Sequence, residues 1–436
     1  MAGPLLAIAI LLGLAMFRVP IAFAMIVVGG VGFAMIRGTD AALSMVGTTA
    51  FDTIFSYSLS VIPLFIFMGN LLAHSGVAGG LFSATQRLVR RLPGGLAMAA
   101  VLSCGGFSAV CGSSLATAAT MSKVAMPSLR KFGYADSLSS GAIAAGGTLG
   151  ILIPPSVILI IYGILTESDI GLLFLAGIVP GFIGLAFYVL AVACAVKLNP
   201  KLAPATYELD DQPLEGLYGV VLSAALFLFI MVGIYGGFFT PIEAAGMGAG
   251  AALVMVYVTG HASLGEIWKS LLETVESTAM IFIIVIGAEV FSNYINLAGL
   301  PDALAGLIYD TEMSAWMVLA LIIAIYLVLG CVLESLSMIL LTVPIFYPLM
   351  YELDFGMELL SDPELVLIWF GIIVVVVTEV SLITPPVGMN VFVLNATLPD
   401  VSLKTIFKGI LPFWVADIVR MALLIAVPAL SLALVT

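Results

Sequence analysis

Apolar stretches of about 20 residues recur along the whole chain between short polar connections, each long enough to cross a ~30 Å hydrocarbon core as a helix. Two of them are interrupted in their middles, by "CGGFSAVCGSS" at 104–114 and by "GCVLESLS" at 330–337. Arg87, Arg90 and Arg91 precede residues 93–127, and Arg130 and Lys131 follow them, so the bias of short basic loops puts both ends of that segment on the cytoplasmic side. About 35 residues fall short of the ~40 that two crossings and a turn need at ~1.5 Å each. The segment therefore predicts a re-entrant helical hairpin with its tip at "GGFSAVCGSS".

The remaining stretches keep a consistent count. Residues 137–165 lead outward, 170–196 return to Lys197 and Lys201, and 198–216 form a polar cytoplasmic loop. Residues 217–237 go out, "FFTPIEA" connects, and 242–260 come back. From the inside loop at His261 to Lys269, residues 275–297 lead out to Asp302, Asp310 and Glu312. Residues 314–350 are flanked by acids on both sides (Asp310 and Glu312; Glu352 and Asp354), which predicts a second hairpin entered from outside, its tip at 330–337. Residues 365–395 then run inward to Lys404 and Lys408, and 409–434 run out. At the start, 4–17 and 21–36 pair about an inside turn at Arg18 and Pro20, and Arg37 falls outside against the bias.

Each hairpin is followed by a Pro-Pro pair inside an apolar run, "GGTLGILIPPS" (146–156) and "EVSLITPPVGMN" (379–390). Proline has no backbone donor and disfavours helix at the preceding residue, so both runs should open there. Opened backbone survives at membrane depth only where protein or a wet cavity satisfies it. A lone proline would read as a tolerated kink, and a lone serine as helix-packing glue. Matched interruptions in two oppositely oriented halves point instead to a secondary-transporter site at the midplane. Half-helix N-termini attract an anion there, while freed carbonyls and hydroxyls suit a hard cation such as Na⁺. The fold expected is an all-α polytopic membrane protein built of inverted repeats, with two re-entrant hairpins and two discontinuous helices.

Composition agrees and narrows the classes. Of 436 residues, 62% are hydrophobic and 9% charged, and mean hydropathy is +1.24, which excludes a soluble fold. The net charge of −12 argues against nucleic acid. The first residues lack a basic stretch and a small-residue cleavage site, so they read as a retained span. Cys104, Cys111, Cys194 and Cys331 fall inside expected spans as packing residues, and two histidines without H-E-x-x-H offer little for zinc or for a serine hydrolase. Glu243, Glu289, Glu334 and Glu379 lie in or near apolar runs, which opens proton coupling as an alternative. Glu243 follows Pro241 as an ordinary helix-start acid, and Lys123 and Arg420 can snorkel or pair with the others. An anion channel is the other alternative, but no continuous polar stripe runs along the spans.

The segments "GGFSAVCGSSLATAATM", "GTLGILIPPSVILIIYG", "FFTPIEAAG" and "ITPPVGMNVFVLNA" jointly resemble the large membrane subunit of tripartite ATP-independent periplasmic (TRAP) transporters, over essentially the whole chain. The resemblance implies an elevator-type importer of the ion-transporter superfamily in a bacterial or archaeal cytoplasmic membrane, driven by Na⁺. It also implies a small four-helix membrane partner and a periplasmic binding protein that delivers a small organic acid. On this reading, scaffold helices occupy 1–91, 170–312 and 401–436, and the transport domain occupies 92–169 and 313–400. One Na⁺ site would involve Ser108, Gly112 and Ser113 with Gly147, Thr148 and Gly150; the other would involve Gly330, Glu334 and Ser335 with Thr384, Pro385 and Gly388. Substrate would sit near Ser114, Pro155, Pro386 and Asn390.

Overall fold

The computed structural model describes residues 2–204, 217–260, 263–331 and 333–436, and among them every regular element is helical. Most of the polar loop 198–216, the start of the loop at His261 and part of the second tip lie outside the described residues. Among the described residues seven helices are long and apolar enough to cross a bilayer, and an eighth candidate is the pair Thr39–Phe55 and Ser58–His74, bent by 55°.

The first hairpin is Gly95–Cys111 and Ser114–Lys131, turning at Gly112 and Ser113. Gly112 has φ +63, which ends the first limb in a left-handed cap whose N–H donates to the Ser108 carbonyl at 3.0 Å. Ser113 is extended, and its hydroxyl accepts from the Ala116 N–H, opening the second limb. The second hairpin is Ala315–Gly330 and Ser335–Glu352, where Glu334 is the cap and accepts from the Ser337 N–H at 3.3 Å. Limbs of 16 to 18 residues rise ~24–27 Å, less than a full crossing. "GGFSAVCGSS" is thus mostly the end of a helix: Gly105, Gly106 and Ser108 belong to the first limb, and only Gly112 and Ser113 make the turn.

Both expected breaks are present. Asp136–Thr148 passes through a 3-10 turn at Leu149–Ile151 to a cis Pro154–Pro155 bond, and Ser156 caps Val157–Thr166. Pro363–Leu382 ends before a cis Pro385–Pro386 bond, and Met389–Thr397 resumes after Gly388 at φ +60. Two expected ends move for local reasons. The helix expected from 275 begins at Leu264, because Ser263 and Glu266 form a capping box that carries it to 34 residues. The last span is Leu403–Ala426, followed by a break at Val427 and Pro428.

Small residues set the helix crossings, as expected where lipid supplies no hydrophobic drive. Leu264–Leu297 lies against Ile21–Arg37, where a Cβ on Gly29 would stand 2.8 Å from the Phe291 backbone and one on Gly287 would stand 2.6 Å from the Ala22 carbonyl. Asp136–Thr148 crosses Leu403–Ala426 backbone to backbone at Gly141 and Gly409. Ile170–Leu198 and Leu403–Ala426, which the sequence division groups with the scaffold, pack directly on the broken helices. Trp369, for instance, donates to the Leu424 carbonyl at 3.1 Å.

Candidate functional site

The two tips, far apart in sequence, face one cavity of about 260 Å³. Gly112, Ser113 and Ser114 line it from the first tip, and Glu334 and Ser335 from the second. Asn70 of Val61–His74 and Ser277 of Leu264–Leu297 complete its polar wall, with Ile66, Ile281 and Ile284 apolar beside them. The helices Ser114–Lys131, Val157–Thr166 and Ser335–Glu352 all begin here, so three positive dipole ends meet in one space. The two tips differ in sign. The first is capped by a neutral hydroxyl, which leaves its N–H groups open to an anion; the second is capped by the Glu334 carboxyl, which offsets the dipole and suits a cation.

Behind the first tip, hairpin and break touch through backbone. A Cβ on Gly112 would come 2.8 Å from the Pro155 carbonyl, one on Gly150 3.0 Å from the Ser113 carbonyl, and one on Gly147 3.2 Å from the Ser114 carbonyl. Glycine at these positions lets carbonyl oxygens gather where a side chain would part them. Ser108 lies one turn below with its hydroxyl buried and without a hydrogen-bond partner. Close-set carbonyl oxygens beside an orphan hydroxyl are the donor types that suit a hard monovalent cation.

Thr148 turns elsewhere, its hydroxyl donating to the Ala145 carbonyl at 2.7 Å and meeting the Tyr188 hydroxyl at 3.1 Å.

Behind the second tip, Gly330 packs against Ser381, and the Cys331 thiol reaches the Pro385 carbonyl at 3.5 Å. Thr384 donates to the Val380 carbonyl at 2.6 Å and accepts from the Trp414 indole at 3.0 Å. Gly388 supplies the left-handed turn that restarts the helix. Of the substrate residues expected from sequence, Ser114 lines the cavity. Pro155 sits behind the first tip, Pro386 is exposed, and Asn390 is buried with its amide donating to the Ala144 carbonyl at 3.0 Å. Asn70 and Ser277 were missed, because a lone polar residue in an apolar span carries no local pattern.

The acids also separate. Glu243 closes a capping box with Thr240 on the surface. Glu289 lines a second cavity of about 320 Å³ with Asp52, Thr49 and Asn293. Glu379 is fully buried and accepts from Arg420, whose guanidinium also lies 2.9 Å from Asp417. Tyr188 donates to Asp417 at 2.6 Å, and Gly184 leaves the room the guanidinium occupies. This cluster ties Asp136–Thr148, Ile170–Leu198, Pro363–Leu382 and Leu403–Ala426 into one body. Tyr188→Phe, which strips a hydroxyl from both Asp417 and Thr148, is expected to destabilise by about 1–2 kcal/mol, read as a lower unfolding midpoint in detergent.

A family model described as "Tripartite ATP-independent periplasmic transporter, DctM component" matches residues 8–430. The chain belongs to this family. A C4-dicarboxylate TRAP transporter large permease protein of Pseudomonas aeruginosa is 36% identical over 388 residues, covering 88% of this chain and 87% of that protein. An ectoine/5-hydroxyectoine TRAP transporter large permease protein of Ruegeria pomeroyi is 32% identical, covering 83% and 82%. Among solved structures, the Alcanivorax borkumensis YdaH transporter aligns with a TM-score of 0.63 at 16% identity, covering 90% of this chain and 88% of that one, a likeness of fold. As a DctM component the chain is a multi-pass membrane permease for secondary transport, one part of a three-part system, and not an enzyme.

Proposed function

We propose that this DctM component imports a small organic acid together with Na⁺ across the cytoplasmic membrane by an elevator movement. A soluble periplasmic binding protein delivers the acid, and a small four-helix subunit steadies the fixed helices. The observation that carries the reading is the convergence of three helix N-termini and two hairpin tips on one cavity. The substrate carboxylate sits against the N–H groups of the first tip, near Ser113 and Ser114. One Na⁺ is held behind that tip by Ser108 and the carbonyls gathered around Gly112, Gly147 and Gly150. The second is held between Glu334 and Ser335 of the second tip and the break at Thr384, Pro385 and Gly388, whose Pro385 carbonyl the neighbouring Cys331 thiol already reaches. The names of the relatives support an acid without fixing which: one carries C4-dicarboxylates and another ectoine.

The moving body comprises both hairpins, both broken helices and the two helices that the Arg420 cluster binds to them. The fixed body comprises Ile21–Arg37, the bent pair 39–74, Leu217–Tyr235, Pro241–Val258 and Leu264–Leu297. Across the cavity the fixed wall is largely aliphatic, at Ile66, Met280, Ile281 and Ile284, which lets it slide without breaking ion pairs.

Uptake into proteoliposomes holding the complex, with binding protein outside, tests this. Uptake should need both the binding protein and an inward Na⁺ gradient, and a proton gradient alone should not drive it. Ser108→Ala and Thr384→Ala are each expected to raise the Na⁺ concentration for half-maximal uptake about tenfold, the equivalent of ~1.4 kcal/mol. Unchanged sodium activation in both would remove the ion assignment.

A further inference from the structure

Gly105 and Gly106 lie within the first limb, away from the turn, and line a separate cavity of about 340 Å³. The cavity lies between that limb, the break at Ile153 and Pro154, the helix Ile170–Leu198 and the helix Leu217–Tyr235. Its surface is almost wholly apolar, with two hydroxyls. Thr85 is hydrogen-bonded to Ser103 and to the Leu81 carbonyl, whereas Ser223 is 5% exposed and its hydroxyl has no partner. A buried water needs two to four polar partners, and this space offers one.

The cavity opens sideways. Leu88 and Phe182 at its edge are 77% and 64% exposed, so its mouth meets hydrocarbon. Leu88 belongs to the amphipathic helix Val77–Val89, and Arg90 and Arg91 follow at once, both exposed. Basic side chains beside an apolar slot match an anionic headgroup joined to a fatty chain. We propose that the slot holds an acyl chain of an anionic phospholipid, with its headgroup at Arg90 and Arg91 and an ester oxygen accepting from Ser223. The chain lies between the first hairpin and the helix Leu217–Tyr235, filling space that a packed side chain would close.

Native mass spectrometry of the complex, reconstituted in vesicles of phosphatidylglycerol and phosphatidylcholine in equal parts, tests this independently of uptake. The parent complex should retain phosphatidylglycerol preferentially. Ala224→Phe, at an exposed wall position, should fill the slot and lower retention about tenfold. The surface variant Arg90→Gln with Arg91→Gln should keep a bound lipid but lose the preference for phosphatidylglycerol. Equal retention in Ala224→Phe, or an unchanged preference in the arginine variant, would overturn the proposal. So would capture of the small subunit by a photoactivatable crosslinker attached to the thiol of Ala224→Cys, which would make the occupant a protein helix.

Discussion

Arg420→Gln is expected to destabilise the protein by ~3–5 kcal/mol, because it leaves Glu379 and Asp417 buried side by side without their cation. With membrane proteins marginally stable in detergent, a loss of this size should show as little or no monodisperse protein on size exclusion. Arg420→Lys should rescue only in part, since both carboxyls meet one terminal guanidinium nitrogen, Nη2, and a lysine keeps the charge but not that reach or the planar group's packing. The triple variant Glu379→Gln, Asp417→Asn, Arg420→Met removes the charges together and should recover most of the yield, as buried ion clusters often exchange for neutral packing at little cost. If Arg420→Gln folds as well as the parent, the cluster does not bind the four helices as described.

Gly112→Ala should leave the protein folded and abolish most uptake. A side chain at φ +63 costs roughly 1–2 kcal/mol, and the new Cβ would meet the Pro155 carbonyl at 2.8 Å, forcing tip and break apart. The displacement falls where carbonyl oxygens are proposed to hold Na⁺, so uptake should drop more than about tenfold while the unfolding midpoint falls only modestly. Gly76→Ala serves as the control. It carries a similar backbone angle, φ +76, but nothing lies within contact of its Cβ, so it should bear the backbone cost and keep uptake. Equal loss in both would mean that strain, and not the meeting of tip and break, is being measured.

Much of this architecture was legible in the chain because the bilayer writes it locally. Span length, basic flanks and double prolines each report on a few neighbouring residues, and they placed both hairpins and both breaks to within a few positions. Helix caps were legible only to a point. The "GGFSAVCGSS" stretch reads as a turn throughout, yet its first glycines pack inside a helix, because a glycine that relieves a crossing looks the same in sequence as one that reverses the chain. Pairings across the fold were legible only as options. Arg420 was read as a cation that could snorkel or pair with one of the acids in apolar runs, but Asp417 drew no notice in the middle of its span, and the 41 residues from Glu379 to Arg420 follow no period that would pick the partner. Thr148 was expected at an ion site, and its hydroxyl meets Tyr188 of the cluster, a contact the sequence does not mark because which way a helical threonine faces depends on partners such as Tyr188, 40 residues away.

The bond from Asn390 to the Ala144 carbonyl, together with that from Ser122 to Thr397, runs crosswise between the halves: the second broken helix is braced on the first hairpin and the first broken helix. The two halves are therefore fastened to each other by side chains as well as each being packed within itself, and a displacement of the first hairpin bears directly on the helix that restarts after the second break.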